Sequence, residues 1–119
     1  MAMLAELKCT TCTSGDESMK MPEMKRLLKN IPDWELVKNG HGYTLSRKFK
    51  FRNYSSAVDF TVLVAALAEG SDHHPSILLE WGKVTVTWWT HSIGGLHKND
   101  FIMAAKTSRA YAMKSAREP

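Results

Sequence analysis

The sequence contains no hydrophobic run long enough to cross a membrane. Its longest apolar stretch extends from Phe60 to Ala68 and includes Thr61, whereas a membrane-spanning helix needs roughly 18 apolar residues. The N-terminal residues also lack the basic start, apolar stretch and small-residue cleavage site that are typical of secreted proteins. We therefore expect a cytoplasmic protein with no membrane partner.

Cysteine is scarce. Cys9 and Cys12 form one C-x-x-C motif, and two thiols cannot complete a four-ligand zinc site without ligands from elsewhere in the chain. The sequence around them is rich in Thr and Ser, which is typical of an unpacked arm, and no βαβ redox context follows. We interpret both residues as free thiols in a reducing compartment.

The sequence also lacks a large excess of either charge. Sixteen Lys and Arg residues against twelve Asp and Glu residues give a net charge of +4, and the excess is spread along the chain. There is no phosphate-binding glycine loop, no dinucleotide-binding fingerprint and no Ser or Cys placed as an obvious nucleophile. The mild and spread charge excess does not indicate a nucleic-acid partner, and the missing motifs argue against nucleophilic catalysis and nucleotide binding.

The apolar content is sufficient for one domain. The chain has 119 residues, of which 44% are hydrophobic, and this length supports one folding unit with a real core. Residues 1–19 are rich in small polar types without periodicity, so we expect a flexible N-terminal arm there. We expect a single domain over residues 20–115 and a C-terminal tail over residues 116–119.

Hydrophobic spacing predicts the elements of this domain. A short helix opens at Pro22, Asn53 caps a long helix that ends at Gly70, and a last helix extends from about Lys98 to Ser115. Two hairpins lie between the helices, the first over residues 34–37 and 43–51 and the second over residues 76–81 and 83–91. The order α-β-β-α-β-β-α predicts a two-layer α+β fold, in which a four-stranded antiparallel sheet carries the helices on one face.

The strand over residues 43–51 alternates between an apolar and a basic face. Leu45 and Phe49 share one side with Arg47, while Lys48 and Lys50 lie on the other. A basic stripe could bind phosphate or an acidic partner, but on an antiparallel sheet it is more often the solvated side, which is our interpretation.

The turn of the second hairpin predicts a cluster of three histidines. If Glu80 pairs with Lys83 across a two-residue turn, the residues before the first strand lie opposite those after the second. Opposite residues are about 5 Å apart and diagonal ones about 7 to 8 Å. The imidazoles of His73, His74 and His91 could therefore line one small pocket.

The chemistry of this cluster has two interpretations. Pro75 is expected to bend the chain before pairing is complete, so which of His73 and His74 turns inward stays open. Together with Asp72 and Glu69, the histidines suggest a metal site or acid–base chemistry. Adjacent histidines on an extended chain face opposite ways, which does not suit zinc, whereas imidazoles near pH 7 carry protons well and a carboxylate fixes their tautomer. We favour acid–base chemistry.

Several separated motifs resemble those of the pterin-4a-carbinolamine dehydratases. They are E-G-S-D-H-H-P at 69–75, T-H at 90–91, G-G-L-x-x-x-D at 94–100 and the tryptophan of I-P-D-W, Trp34. The resemblance covers roughly residues 20–115. It implies a dehydratase that converts 4a-hydroxytetrahydrobiopterin to quinonoid dihydrobiopterin. That reaction recycles the pterin of aromatic amino-acid hydroxylation, so the resemblance also implies functional partnership with an aromatic amino-acid hydroxylase. No metal and no organic cofactor are implied.

The resemblance also implies roles for individual residues. His73 and His91 match the family's acid–base histidines, and His74 matches the histidine that chiefly binds the pterin. The matched substrate-binding wall consists of Glu69, Asp72, Pro75, Thr90, Ser92 and Ile93. Two positions keep alternatives: Trp34 is a pocket wall or core, and Asp100 either orients the site or forms a capping box with His97.

Two other functions compete with catalysis. Members of the family can also act as dimerisation cofactors of transcriptional regulators, so a protein-binding module is the main alternative. A small His-rich metalloprotein is the third possibility. The open sheet edges and the broad apolar surface of the long helix predict a homodimer or a homotetramer, although core packing could also explain that surface.

Overall fold

The structure is a computed structural model that describes residues 4–9, 18–40 and 42–117. Three helices and four strands lie in these ranges: α1 (Met21–Leu28), β1 (Glu35–Asn39), β2 (Gly42–Lys50), α2 (Tyr54–Ser71), β3 (Ser76–Glu80), β4 (Lys83–Trp88) and α3 (Lys98–Arg117). Short 3₁₀ turns occur at Leu4–Glu6 and His91–Ile93. The predicted α+β fold and its element order are confirmed. Over the same ranges, no helix is both long and apolar enough to span a bilayer.

The four strands form one antiparallel sheet in the order β1-β2-β4-β3. Glu80 pairs with Lys83, as the two-residue turn predicts, and the pairing continues to Ser76 and Thr87. It stops there, because Pro75 has no N–H to donate to a ladder. The chain before Pro75 is therefore not paired with the residues that follow β4.

Helix α2 ends one residue later than predicted. Gly70 lies inside it, and the left-handed residue that terminates it is Asp72, with φ 49°. The Asp72 N–H donates to the carbonyl of Glu69 at 3.3 Å, and the His73 N–H donates to that of Ala68 at 3.2 Å. This is the hydrogen-bond pattern of a Schellman motif, which fixes the direction in which the chain leaves a helix. Asp is among the non-glycine residues that best tolerate this conformation.

The hydrophobic core lies between the sheet and the helices. Its largest fully buried side chains include Trp88, Phe49 and Phe60. Arg47 lies on the same face of β2, as the alternation predicts, and its guanidinium carbon is 4.4 Å from the centre of the Phe49 ring. Lys48, on the opposite face, is exposed.

The N-terminal segment packs on α3. Leu4 and Ala5 are buried, and Lys106 Nζ donates to the carbonyl of Ala5 at 3.1 Å. Cys9 is half-buried and unpaired, and burial raises the pKa of its thiol. These contacts of residues 4–9 are not expected from the flexible arm that the sequence predicts over residues 1–19. Cys12 lies outside the described residues.

Candidate active site around His73 and Asp100

The first turn of α3 is closed by a capping box. The Asn99 N–H donates to His97 Nδ1 at 3.0 Å, and the His97 N–H donates to Asp100 Oδ2 at 2.9 Å. His97 is therefore the N-cap and Asp100 is the third helical residue, whose carboxylate reaches back to the cap. Asp100 therefore caps α3, which is one of the two roles that the sequence offers for it.

The same carboxylate also holds a histidine. Asp100 Oδ1 lies 2.6 Å from His73 Nε2, and Oδ2 accepts a second hydrogen bond, from Thr90 Oγ1, at 2.7 Å. The Asp100 side chain is fully buried. A carboxylate is an acceptor, so His73 Nε2 carries the proton of this bond, and in the neutral imidazole Nδ1 is then the nitrogen with the lone pair. Asp100 thus combines both roles that the sequence left open.

His73 is the histidine that turns inward. Its side chain is 12% exposed, and its ring lies parallel to that of Trp88, with 5.6 Å between centroids and 4° between planes. The Schellman motif at the end of α2 holds its backbone. Three independent contacts therefore restrain the imidazole of His73: a carboxylate, an indole face and a fixed backbone.

His74 faces the other way. Its side chain is 54% exposed, and Nε2 lies 2.5 Å from Glu69 Oε1, on a side chain that is 78% exposed. Glu69 belongs to the last turns of α2, so this pair lies at the surface where the helix ends. An exposed pair of this kind contributes little to stability, but it orients the His74 ring beside the buried His73.

His91 occupies a third position, in the 3₁₀ turn after β4. Its ring is 4.3 Å from that of Trp89, and both residues line a cleft of about 370 Å³. Among the described residues, neither a hydrogen bond nor ring stacking joins His91 to His73 or His74. Thr90 links His91 to His73, because it precedes His91 in the chain and its hydroxyl donates to the Asp100 carboxylate that holds His73.

The remaining predicted residues lie in different surroundings. Thr90 is buried and directed to Asp100, whereas Ser92 is exposed and Ile93 half-buried in the turn that contains His91. Asp72 is exposed and forms the left-handed end of α2, and the half-buried Pro75 precedes β3.

Trp34 lies in the hydrophobic core. It is buried, meets the Phe49 ring edge-on at 5.9 Å, and donates from Nε1 to Ser108 Oγ at 2.8 Å. This placement agrees with the core alternative for Trp34.

Sequence reasoning missed Trp88, which has the largest buried side chain next to His73. The alternation of β4 places Trp88 on the helix side with Val84 and Val86, so its burial could have been predicted. In the described part of the chain, no three His, Cys, Asp or Glu side chains are grouped so that they could hold a metal ion.

Comparison with known proteins agrees with this geometry. The family described as Pterin 4 alpha carbinolamine dehydratase matches residues 17–110. A protein of Marinobacter nauticus, provisionally named pterin-4-alpha-carbinolamine dehydratase, is 50% identical over 111 residues, which are 93% of this chain and 100% of that protein.

Two solved structures are similar in fold. A transcriptional coactivator/pterin dehydratase of Brucella melitensis is 32% identical, with a TM-score of 0.72 over 79% of this chain and 98% of that one. A pterin dehydratase-like RuBisCO assembly factor of the alpha-carboxysome is 21% identical, with a TM-score of 0.57 over 66% of this chain and 89% of that one, and shows the fold alone. The family match and the identity over nearly the whole chain establish that this protein belongs to the pterin-4-alpha-carbinolamine dehydratase family.

Proposed function

We propose that the protein dehydrates a 4a-hydroxytetrahydropterin, such as 4a-hydroxytetrahydrobiopterin, to the quinonoid dihydropterin and water. In this reaction the bond between C4a and the hydroxyl oxygen breaks, N5 loses its proton, and a double bond forms between C4a and N5. The leaving hydroxyl needs a proton while N5 gives one up, so two proton transfers are required. The observation that carries the proposal is the imidazole of His73 held by the buried carboxylate of Asp100.

Each histidine has a separate role in this proposal. Because Nε2 of His73 is bound to Asp100, its Nδ1 is the nitrogen that exchanges a proton with the substrate. His91 is the second proton carrier, and its exposed ring is accessible to a ligand at the cleft beside Trp89. His74, oriented by Glu69, binds the pterin at the surface end of α2.

The remaining residues of the proposed site form its wall. Asp72, Pro75, Ser92 and Ile93 surround the histidines in sequence and provide polar and apolar contacts. Thr90 acts through Asp100. After reduction of the product to the tetrahydropterin by a separate reductase, an aromatic amino-acid hydroxylase would use the pterin again, which makes the hydroxylase the functional partner.

Stopped-flow spectroscopy tests the proposal directly. The carbinolamine is generated immediately before mixing, and its loss is followed with and without the protein. The rate should rise in proportion to the concentration of wild-type protein, and His73→Ala should lower the catalysed rate by about 10²- to 10⁴-fold. Lys48→Ala, an exposed change on the opposite face of the sheet, is the matched control and should keep the wild-type rate. A wild-type rate equal to that in buffer would overturn the proposal.

A protein-binding role is the second candidate. Large apolar side chains are exposed on α2 at Val62 and Leu63 and around the second hairpin at Leu78 and Trp81. β1 and β3 form the two edges of the sheet, and open edges are usually covered or paired. We infer a homodimer or homotetramer that buries part of this surface. Charged substitutions at Val62 that abolish assembly and keep the dehydratase rate would separate assembly from catalysis.

A further inference from the structure

The ring of His73 is restrained on its face as well as at its edge. The Asp100 carboxylate contacts one edge of the imidazole at Nε2, and the indole of Trp88 lies parallel to the imidazole, with 5.6 Å between the ring centroids and 4° between the planes. A hydrogen bond to a single nitrogen fixes where that nitrogen lies, but it leaves the ring able to rotate about the bond. A parallel aromatic neighbour restricts that rotation, because offset stacking is a favoured arrangement of two aromatic rings.

The plane of the indole is itself fixed by α3. Trp88 Nε1 donates to Thr107 Oγ1 at 3.2 Å, and the Thr107 hydroxyl donates to the carbonyl of Met103 at 2.7 Å. Trp88, Thr107 and Asp100 are all fully buried. Asp100 and Thr107 are seven residues apart and therefore lie on one face of the helix. One helix face thus orients the His73 ring twice, directly through Asp100 and indirectly through the indole.

We propose that Trp88 is a positioning residue of the dehydratase, holding the imidazole of His73 in the one orientation that keeps Nε2 on Asp100 and presents Nδ1 to the substrate. This inference rests on the proposed function and adds a residue to it. Trp88 does not touch the substrate. It raises the fraction of molecules in which the proton carrier is correctly placed, so its loss lowers kcat and leaves KM unchanged.

The variants Trp88→Leu and Trp88→Phe separate ring stacking from simple filling of the core. Leu keeps an apolar side chain without a flat face, whereas Phe keeps a face and loses the N–H. Trp88→Leu should lower kcat by about 3- to 10-fold, the range that corresponds to the contribution of one aromatic pair, with KM within about 2-fold of wild type. Trp88→Phe should recover part of the loss.

Changes at Thr107 test the same orientation without altering either ring. Thr107→Val removes the acceptor of the indole N–H at nearly constant volume, and Thr107→Ser keeps the hydroxyl. Val should lower kcat and Ser should retain it. Ser108→Ala is the matched control, because this neighbouring hydroxyl accepts the indole N–H of Trp34 instead, and it should change stability while leaving kcat at the wild-type value.

Nuclear magnetic resonance of the His73 ring provides a readout that stability alone does not move. The indole ring current should shift the imidazole C–H protons of the wild-type protein, and Trp88→Leu should abolish that shift. A folded Trp88→Leu variant with wild-type kcat, or an unchanged ring-proton shift, would overturn the inference. If Trp88→Leu does not fold, equal kcat for Thr107→Val and Thr107→Ser would overturn it.

The two proposals fail in different ways. A wild-type protein without dehydratase activity overturns the proposed function and with it the catalytic role of Trp88, and the ring-proton shifts then decide only whether Trp88 stacks on His73. An active wild type with indifferent Trp88 and Thr107 variants overturns only the positioning role.

Discussion

Replacing Asp100 with Asn changes one atom in the hydrogen-bond network of His73. The side-chain oxygen of Asn can still accept from the Thr90 hydroxyl and the His97 N–H, which both meet Oδ2 in the wild type. The amide NH₂ then replaces Oδ1 opposite His73 Nε2. Two donors would face each other unless the imidazole moves its proton from Nε2 to Nδ1. The variant should therefore keep the capping box and reverse the tautomer of His73.

The expected effects on activity and stability differ in size. With its proton on Nδ1, His73 cannot accept a proton there, and loss of one positioned proton carrier lowers kcat by about 10²- to 10⁴-fold. KM should stay within about 3-fold, because His74 and Glu69 are unchanged. The three hydrogen bonds of the carboxylate lose their charge assistance, so the free energy of unfolding should fall by about 1 to 3 kcal/mol. Asp100→Ala would be less informative, since it leaves the His73 Nε2–H, the Thr90 hydroxyl and the His97 N–H without this acceptor and costs about 2 to 5 kcal/mol.

Three measurements check this prediction: stopped-flow kcat and KM, urea unfolding, and ¹⁵N chemical shifts of the imidazole nitrogens, which report the tautomer. Asp59→Asn is the matched control, because the Asp59 side chain is 69% exposed and its Oδ2 lies 3.9 Å from Lys114 Nζ. It should leave kcat and stability near the wild-type values. A folded Asp100→Asn variant with wild-type kcat, or one that loses activity without changing the His73 tautomer, would refute the reasoning.

Four further outcomes are expected. His73→Ala and His91→Ala should each lower kcat by about 10²- to 10⁴-fold, whereas His74→Ala should chiefly raise KM; wild-type kinetics in all three would contradict the site assignment. Asp72→Gly should keep or raise the melting temperature, because glycine adopts a positive φ without cost. The same variant should raise KM if the carboxylate binds substrate, and an unchanged KM would mean that Asp72 only terminates α2. Cys9 should react with iodoacetamide more slowly in the folded protein than in urea at pH 8, because burial raises the pKa of its thiol. The folded chain then keeps the thiol proton to higher pH than the unfolded chain, so the free energy of unfolding falls as the pH rises above the ordinary thiol range. Equal alkylation rates in the two states would contradict the burial of Cys9. Sedimentation equilibrium at micromolar concentration should give a mass of at least two chains, and a mass near the 13.4 kDa protomer across a dilution series would exclude the proposed assembly.

The local features of the fold could be predicted because they depend on neighbours in sequence. Alternation in β2 assigned Leu45 and Phe49 to the core face, and the two-residue turn between Glu80 and Lys83 fixed the register of the second hairpin. Asn53 was identified as the cap of α2, and its side chain accepts from the Ser56 N–H at 2.8 Å. Each of these interactions joins residues a few positions apart, so their spacing alone determines it.

Part of the site was determined in the same way. The spacing of His97 and Asp100 predicted a capping box. The hydrogen bond from the His97 N–H to the Asp100 carboxylate is present, and the His97 side chain accepts from Asn99 instead of Asp100. The sequence motifs also singled out His73, His74 and His91. They left open which of the adjacent histidines turns inward, because that depends on how the chain leaves α2. The left-handed Asp72 decided it, and a single φ angle of this kind is not encoded by hydrophobic periodicity.

The contacts that make His73 a specific proton carrier belong to the tertiary structure alone. His73 meets Asp100 and Trp88, which are 27 and 15 positions away in the sequence, and Lys106 meets the carbonyl of Ala5 across an even longer separation. Such pairs form only when the core packs the sheet against the helices, because no local hydrogen bond brings them together. The sequence by itself therefore determined the elements, the register and the chemical identity of the histidines. Packing decided which imidazole is buried, which nitrogen carries its proton and which ring lies against it.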